Sequence, residues 1–129
     1  MNNKTTEFSF VLKPSEYGVG IFAVHDIKTG TYLRLFREKD EPRTAIVRKK
    51  EDVPEFFQQW CVDRGNTLMC PRDFGHMEIG WYLNHSKTPN AHRDDNYNYY
   101  ASRDISKGKE VTIDYNSLEE PEEARDEYY

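Results

Sequence analysis

Apolar residues in this chain come in short runs, and nearly every run is bounded by turn-forming residues. FSFVL (8–12), GIFAV (20–24), YLRLF (32–36) and TAIV (44–47) are each only four or five residues long. KPSEYG and DIKTG stand between the first three. Pro and Gly break the backbone pattern, and Ser, Asn and Asp compete for its hydrogen bonds. Runs of this length bounded by such residues read as strands and rule out long helices. Further strands are expected over Thr67–Met69, Tyr97–Ser102 and Glu110–Tyr115. One helix is expected from Asp52, with Asp52 as cap, Pro54 in the first turn and Phe56, Phe57 and Trp60 on one side. Gly65-Asn66 should end it. GHMEIGWYLNHS reads as one or two helical turns. No internal repeat or linker is read. The fold class is mostly β: several small sheets with little helix, in a single domain over 1–129. Its core spans about 8–116, and 117–129 forms an acidic tail.

Whether such a chain can hold a core depends on its aromatic content. The apolar fraction is only 36%, but aromatics make up 14%, with nine Tyr and seven Phe. Large rings supply the burial area that the apolar fraction understates. With 129 residues, the chain needs no disulfide or metal staple. Two cysteines, Cys61 and Cys70, are too few for a disulfide scaffold or a Cys-only zinc site. The expected setting is reducing and intracellular. Net charge is −5, from 18 Lys and Arg against 23 Asp and Glu. That balance argues against direct nucleic-acid binding and suits a basic peptide partner. No apolar stretch has membrane-span length.

Several short motifs carry more than one meaning on their own. GVG at Gly18–Gly20 lacks the helix and the third glycine of a dinucleotide-binding loop, whose place Ala23 takes. It reads as a glycine turn or as backbone left open to a ligand. His25, His76, His85 and His92 show no zincin spacing, so no metal is expected. Ser86 lies outside a GxSxG elbow, which leaves a hydrolase weakly supported. Cys61, beside Trp60, reads as core. Tyr115, at the end of KEVTIDY, reads alone as a strand-end tyrosine.

Taken together, GVGIFAVHDIKTG, WYLNHSKTPNA, YYASRDISKG and KEVTIDY occur in that order over Ser9–Tyr115. They resemble the SET-domain family of protein lysine methyltransferases, in particular its minimal viral histone-modifying members. The resemblance implies a fold of small β-sheets with a C-terminal pseudoknot. It also implies S-adenosyl-L-methionine as cofactor, and a lysine in a basic segment such as a histone tail as substrate. Tyr17, Gly18 and Val19 would line the cofactor, Asn84 and His85 would hold it, and Tyr115 would be the catalytic tyrosine. Phe36, Trp60, Ile113, Tyr128 and Tyr129 would contribute to the lysine channel. A homodimer and a place in the nucleus of a eukaryotic cell or host are implied as well. Asn84 and Asn90 would satisfy backbone groups where irregular segments cross.

The chain departs from the family pattern at Lys87, where a cysteine often follows NHS, and at Trp81, where an Arg is common. Lys109 and Ile113 replace a Glu and an aromatic residue. No Cys cluster follows Tyr115, so the acidic tail is the candidate cover for the site. The alternative reading is a catalytically inactive SET-like binding module.

Overall fold

The computed structural model describes residues 3–16, 18–36 and 45–118. Its strands are β1 (Phe10–Ser15), β2 (Gly18–Ala23), β3 (Tyr32–Leu33), β4 (Ala45–Lys49), β5 (Val62–Asp63), β6 (Thr67–Pro71), β7 (Asn84–His85), β8 (Ala91–Arg93), β9 (Tyr99–Ala101) and β10 (Glu110–Ile113). They form three small sheets, ordered β1-β2-β10-β7, β3-β9-β8 and β4-β6-β5. The helical pieces are all single 3-10 turns or short 3-10 runs among the described residues. The expected class, small β-sheets with little helix, is what the chain adopts.

The first sheet positions the site. β1 and β2 form an antiparallel hairpin from Phe10↔Ala23 to Ser15↔Gly18. The strand therefore runs through Pro14, where a turn was expected. β1 is a sheet edge, where a proline need not break a ladder bond. β10 lies antiparallel to β2, Val111 opposite Ile21. On its other side β10 runs parallel to β7, pairing Thr112 with Asn84 and Ile113 with His85. The last strand is thus held between the first hairpin and the NHS segment.

The helix expected from Asp52 is instead two 3-10 turns, Lys50–Asp52 and Glu55–Trp60. Extended backbone at Pro54 and Cys61 leaves six residues between them, too few to offset the cost of nucleating an α-helix. A 3-10 turn eclipses positions i and i+3. Phe57 and Trp60 therefore share a side, while Phe56 is 67% exposed. Gly65 does not end this helix; it sits in the turn between β5 and β6, with φ +97°.

The main core joins Ile21 and Ala23 of β2, Leu33, Leu83, Ala91, Tyr99 and Ala101, and Val111 and Ile113 of β10. A smaller cluster of Val53, Leu68 and Cys70, with Phe57, Cys61 and Phe74 around it, holds the β4-β6-β5 sheet.

One expectation is corrected, because the chain does contain a short internal repeat. Ala23–Gly30 (AVHDIKTG) and Ala101–Gly108 (ASRDISKG) share Ala, Asp, Ile and Gly at the same spacing. The two copies clasp each other reciprocally. Ile27 N–H donates to Ile105 O at 2.8 Å, and Ile105 N–H returns the bond to Ile27 O at 2.8 Å. Gly30 N–H donates to Ala101 O at 2.8 Å, and Gly108 N–H to Ala23 O at 2.8 Å. The Asp104 carboxylate accepts from Thr29 N–H at 2.8 Å, and that of Asp26 from Lys107 N–H at 2.8 Å. Gly30 and Gly108 have φ of +86° and +90°, which side-chain-bearing residues seldom adopt.

Candidate active site

Asn84, at the start of β7, is the side chain that joins three segments. Its Nδ2 donates to Glu110 Oε2 at 2.6 Å, to Ser15 Oγ at 3.1 Å and to Val19 O at 3.2 Å. The Glu110 carboxylate that receives the shortest bond lies over Gly20. A Cβ on Gly20 would stand 2.8 Å from Glu110 Cδ and 3.0 Å from Asn84 Nδ2. The second glycine of GVG is thus a close-approach position for Glu110 and Asn84.

Asn90 serves β10 in the way a neighbouring strand would. Its Nδ2 donates to Glu110 O at 2.8 Å, and its Oδ1 accepts from Thr112 N–H at 2.9 Å. Ser86 N–H donates to Ile113 O at 2.9 Å. The NHSKTPN segment therefore grips β10 at both ends of that run.

Tyr115 follows β10 directly and is tied back to β7 twice. Its hydroxyl donates to Leu83 O at 2.6 Å, and its N–H donates to His85 Nδ1 at 3.0 Å. The His85 and Tyr115 rings lie 5.2 Å apart. Because His85 accepts at Nδ1, its neutral tautomer carries the proton on Nε2. Asp114 Oδ1 stands 3.8 Å from the same Nδ1. A side-chain ring that takes a backbone N–H in this way acts as a fastener.

The sequence-predicted residues divide into groups. Gly18, Val19, Asn84, His85 and Tyr115 are brought together by this network. Gly18 has φ +103°, and among the described residues no atom lies within 4 Å of where a side chain would start. Val19 is 45% exposed. Phe36 lies edge-on to Trp81, ring centroids 5.7 Å apart, and packs on Tyr99 at 5.7 Å. It also covers the face of Gly80. Burial pushes the Tyr99 phenol up to about 12, with Arg93 opposing. Trp60 packs against Phe57 at a ring separation of 6.4 Å and faces Tyr82, which borders the main core, at 6.5 Å. Ile113 is 2% exposed and lies in the main core. Tyr17, Tyr128 and Tyr129, with the tail beyond 118, lie outside the described residues.

Ser15, Glu110 and the Leu83 carbonyl also belong to the network, and sequence reasoning missed them. Ser15, at the end of β1, carries no distinguishing signal of its own, and Glu110, which opens β10 inside KEVTIDY, shows its place in the motif but not its partner. Among the described residues no group of three or more His, Cys, Asp or Glu could hold a metal ion.

The outer edge of β7 could hold a cofactor. β7 ends its sheet, with β10 along one side of it. Strand edges present main-chain N–H and C=O groups to whatever lies alongside. Main-chain donors and acceptors of this kind suit a small polar ligand. No helix of the described residues is long and apolar enough to cross a membrane.

Comparison with known proteins bears on the same residues. Residues 18–116 match the family model of the SET domain. A Yarrowia lipolytica protein named histone-lysine N-methyltransferase, H3 lysine-36 specific, is 30% identical over 119 residues, covering 82% of this chain and 15% of the relative. The chain thus spans a small part of the curated relative it matches. Among solved structures, the methyltransferase domain of human PR domain-containing protein 2 superposes with a TM-score of 0.53 at 19% identity, covering 91% of this chain and 83% of that one. KRYPTONITE, in complex with mCHH DNA, an H3(1–15) peptide and SAH, gives a TM-score of 0.51 at 20% identity, covering 82% of this chain and 23% of that one. At these identities the two structures speak for the fold.

Proposed function

This chain belongs to the SET-domain family, and from that premise we propose that it is a protein-lysine N-methyltransferase. We propose S-adenosyl-L-methionine as its cofactor. The substrate is a lysine in a basic protein segment, of which a histone tail in the nucleus is the leading case. The observation that carries this reading is the double tether of Tyr115 to the NHS segment, at Leu83 O and His85 Nδ1. Support for the substrate class comes from the net charge of −5, from the name of the Yarrowia lipolytica relative and from the peptide bound to KRYPTONITE.

The cofactor would supply a methyl group on a sulfonium, which passes to a neutral lysine amine in one in-line displacement. Alignment therefore matters more than acid–base power. The Tyr115 hydroxyl proton is committed to Leu83 O, so the oxygen lone pairs are left to accept an amine N–H. An amine held by its N–H turns its own lone pair elsewhere, toward the reacting carbon. A free lysine has a pKa of about 10.4, so it must arrive or become neutral. Burial beside aromatic rings favours the neutral form, and Tyr82, next to Leu83, with Trp60 facing it at 6.5 Å, would supply such rings. Asn84 fixes the hairpin tip against β7 and so sets the distance between Gly18 and His85.

The test is transfer of labelled methyl from S-adenosyl-L-methionine to histones, with Tyr115→Phe alongside wild type. The variant should lose on the order of 10²-fold in rate, the typical cost of removing one aligned transition-state contact. Equal rates would remove Tyr115 from the mechanism. Cofactor binding by calorimetry without turnover on any lysine substrate would leave the non-catalytic binding module instead.

A further inference from the structure

We propose that Cys61 and Cys70 form a reversible dithiol–disulfide pair, closed by a hydroperoxide-class oxidant across the β5-β6 hairpin. The inference does not rest on the methyltransferase reading. It concerns the smaller cluster, which the site network does not use.

The geometry comes from the strand register. Val62 pairs with Met69 and Asp63 with Leu68, so one step outward Cys61 stands opposite Cys70. Directly opposed antiparallel residues have Cα atoms about 4.5–5.5 Å apart. That lies inside the window of about 4.4–6.8 Å that disulfides require. The thiols already touch, with the Cys61 S–H directed at Cys70 Sγ at 3.4 Å. Both cysteines are free thiols. Closing the bond therefore needs side-chain rotation and little backbone movement.

The two thiols are not equivalent. Cys61 is half-buried and Cys70 fully buried, so an oxidant in solvent meets Cys61 first. Cys61 loses its proton to solvent and attacks hydrogen peroxide as thiolate; the O–O bond breaks, giving a sulfenic acid and a hydroxide that takes a proton back from solvent to form one water. Cys70 then attacks the sulfenic sulfur, forming the S–S bond and releasing a second water. Two thiols are oxidised and one peroxide is reduced, so the electrons balance. Burial, followed by the contact with Cys70, pushes the Cys61 thiol up to about 12, with Arg48 opposing. Cys61 is thus slow to react near neutral pH, and oxidation should quicken as the pH rises.

Closure would act on the aromatic turn. Cys61 is the residue at which Glu55–Trp60 ends, and its N–H caps Gln58 O. A bond to β6 would anchor that end of the turn, and with it Trp60, which faces Tyr82.

The test uses the full chain treated with hydrogen peroxide at pH 9 under native conditions. The expected product is a monomer lighter by two hydrogens. Proteolysis should give one joined peptide containing Cys61 and Cys70, separated again by dithiothreitol. Cys70→Ser should instead accumulate a sulfenic acid on Cys61 that dimedone traps, and Cys61→Ser should give no joined peptide. The proposal is overturned if the wild type gains oxygen on either cysteine without joining. It is equally overturned if the cysteines join only between molecules, or if neither peroxide nor glutathione disulfide changes them.

Discussion

Replacing Asn90 by alanine should cost the fold about 2–4 kcal/mol, more than one ordinary hydrogen bond. The amide holds two backbone groups of β10 at once, Glu110 O at 2.8 Å and Thr112 N–H at 2.9 Å. Alanine leaves both without their partner. A buried polar group left unsatisfied costs about 1–3 kcal/mol, and the half-buried position of Asn90 places each in the lower part of that range. Total stability for a domain is about 5–15 kcal/mol, so the loss is a large share. Urea denaturation should show a lower midpoint with an unchanged slope. Asn90→Asp tests the pairing itself. It keeps an acceptor for Thr112 N–H but turns a carboxylate oxygen toward Glu110 O. It should therefore be at least as damaging at pH 7, and should recover as acid protonates the carboxyl and restores a donor. A cost below about 0.5 kcal/mol for Asn90→Ala, the floor for one net hydrogen bond, would refute the view that this amide fastens β10.

Gly20→Ala should destabilise by about 1–3 kcal/mol through overpacking, since its Cβ would meet Glu110 Cδ at 2.8 Å. Combining it with Glu110→Ala should recover part of that loss in a double-mutant cycle. The Asp104 carboxyl is held below its usual range, first by Thr29 N–H and then by the Thr29 hydroxyl. Its contribution is present above the unfolded pKa of about 3.9 and lost as pH falls through the lower folded value. Acid unfolding curves of wild type and Asp104→Asn should therefore converge at low pH. The Tyr99 phenol is raised to about 12, chiefly by burial. The linked stability is fully present below the unfolded pKa of about 10 and is lost as pH rises toward 12. Tyr99→Phe should flatten that alkaline loss in a pH series of denaturation midpoints.

Local patterns made the strands legible, because each is a short apolar run bounded by residues that break it. Pairing between them was less so. β7 is two residues long, and no periodicity shows in two residues. Its parallel match to Thr112 and Ile113 exists only because β10 passes beside it. Asn84, His85, Glu110 and Tyr115 were legible as family positions, but the contact of Glu110 with Asn84 was not, since it depends on the glycine at 20 that admits it, and Ser15 was not legible at all. The expected helix failed for a local reason. Aromatic spacing was read as a 3.6-residue period, while the bounds at Pro54 and Cys61 allow only a 3-10 turn.

The clasp shows why turns deserve reading in pairs. DIKTG and DISKG are each plain turn signals, and as punctuation neither implies the other. They are read as a repeat only when the flanking Ala23 and Ala101 are added, because those carbonyls receive the glycine N–H groups of the opposite copy. The reciprocal bonds have a consequence for the site. They join the end of β2 to the turn before β10, and Ala23 N–H also donates to Lys109 O at 3.0 Å. The clasp thus adds to the pairs with β2 in fixing where β10 begins. Tyr115 lies directly past β10, and a slip of one residue would send alternate side chains to the opposite face. Glu110 would then leave Asn84, and Val111 and Ile113 would leave the core. Two turns remote from Tyr115 thus help to hold the register on which its tether to Leu83 and His85 depends.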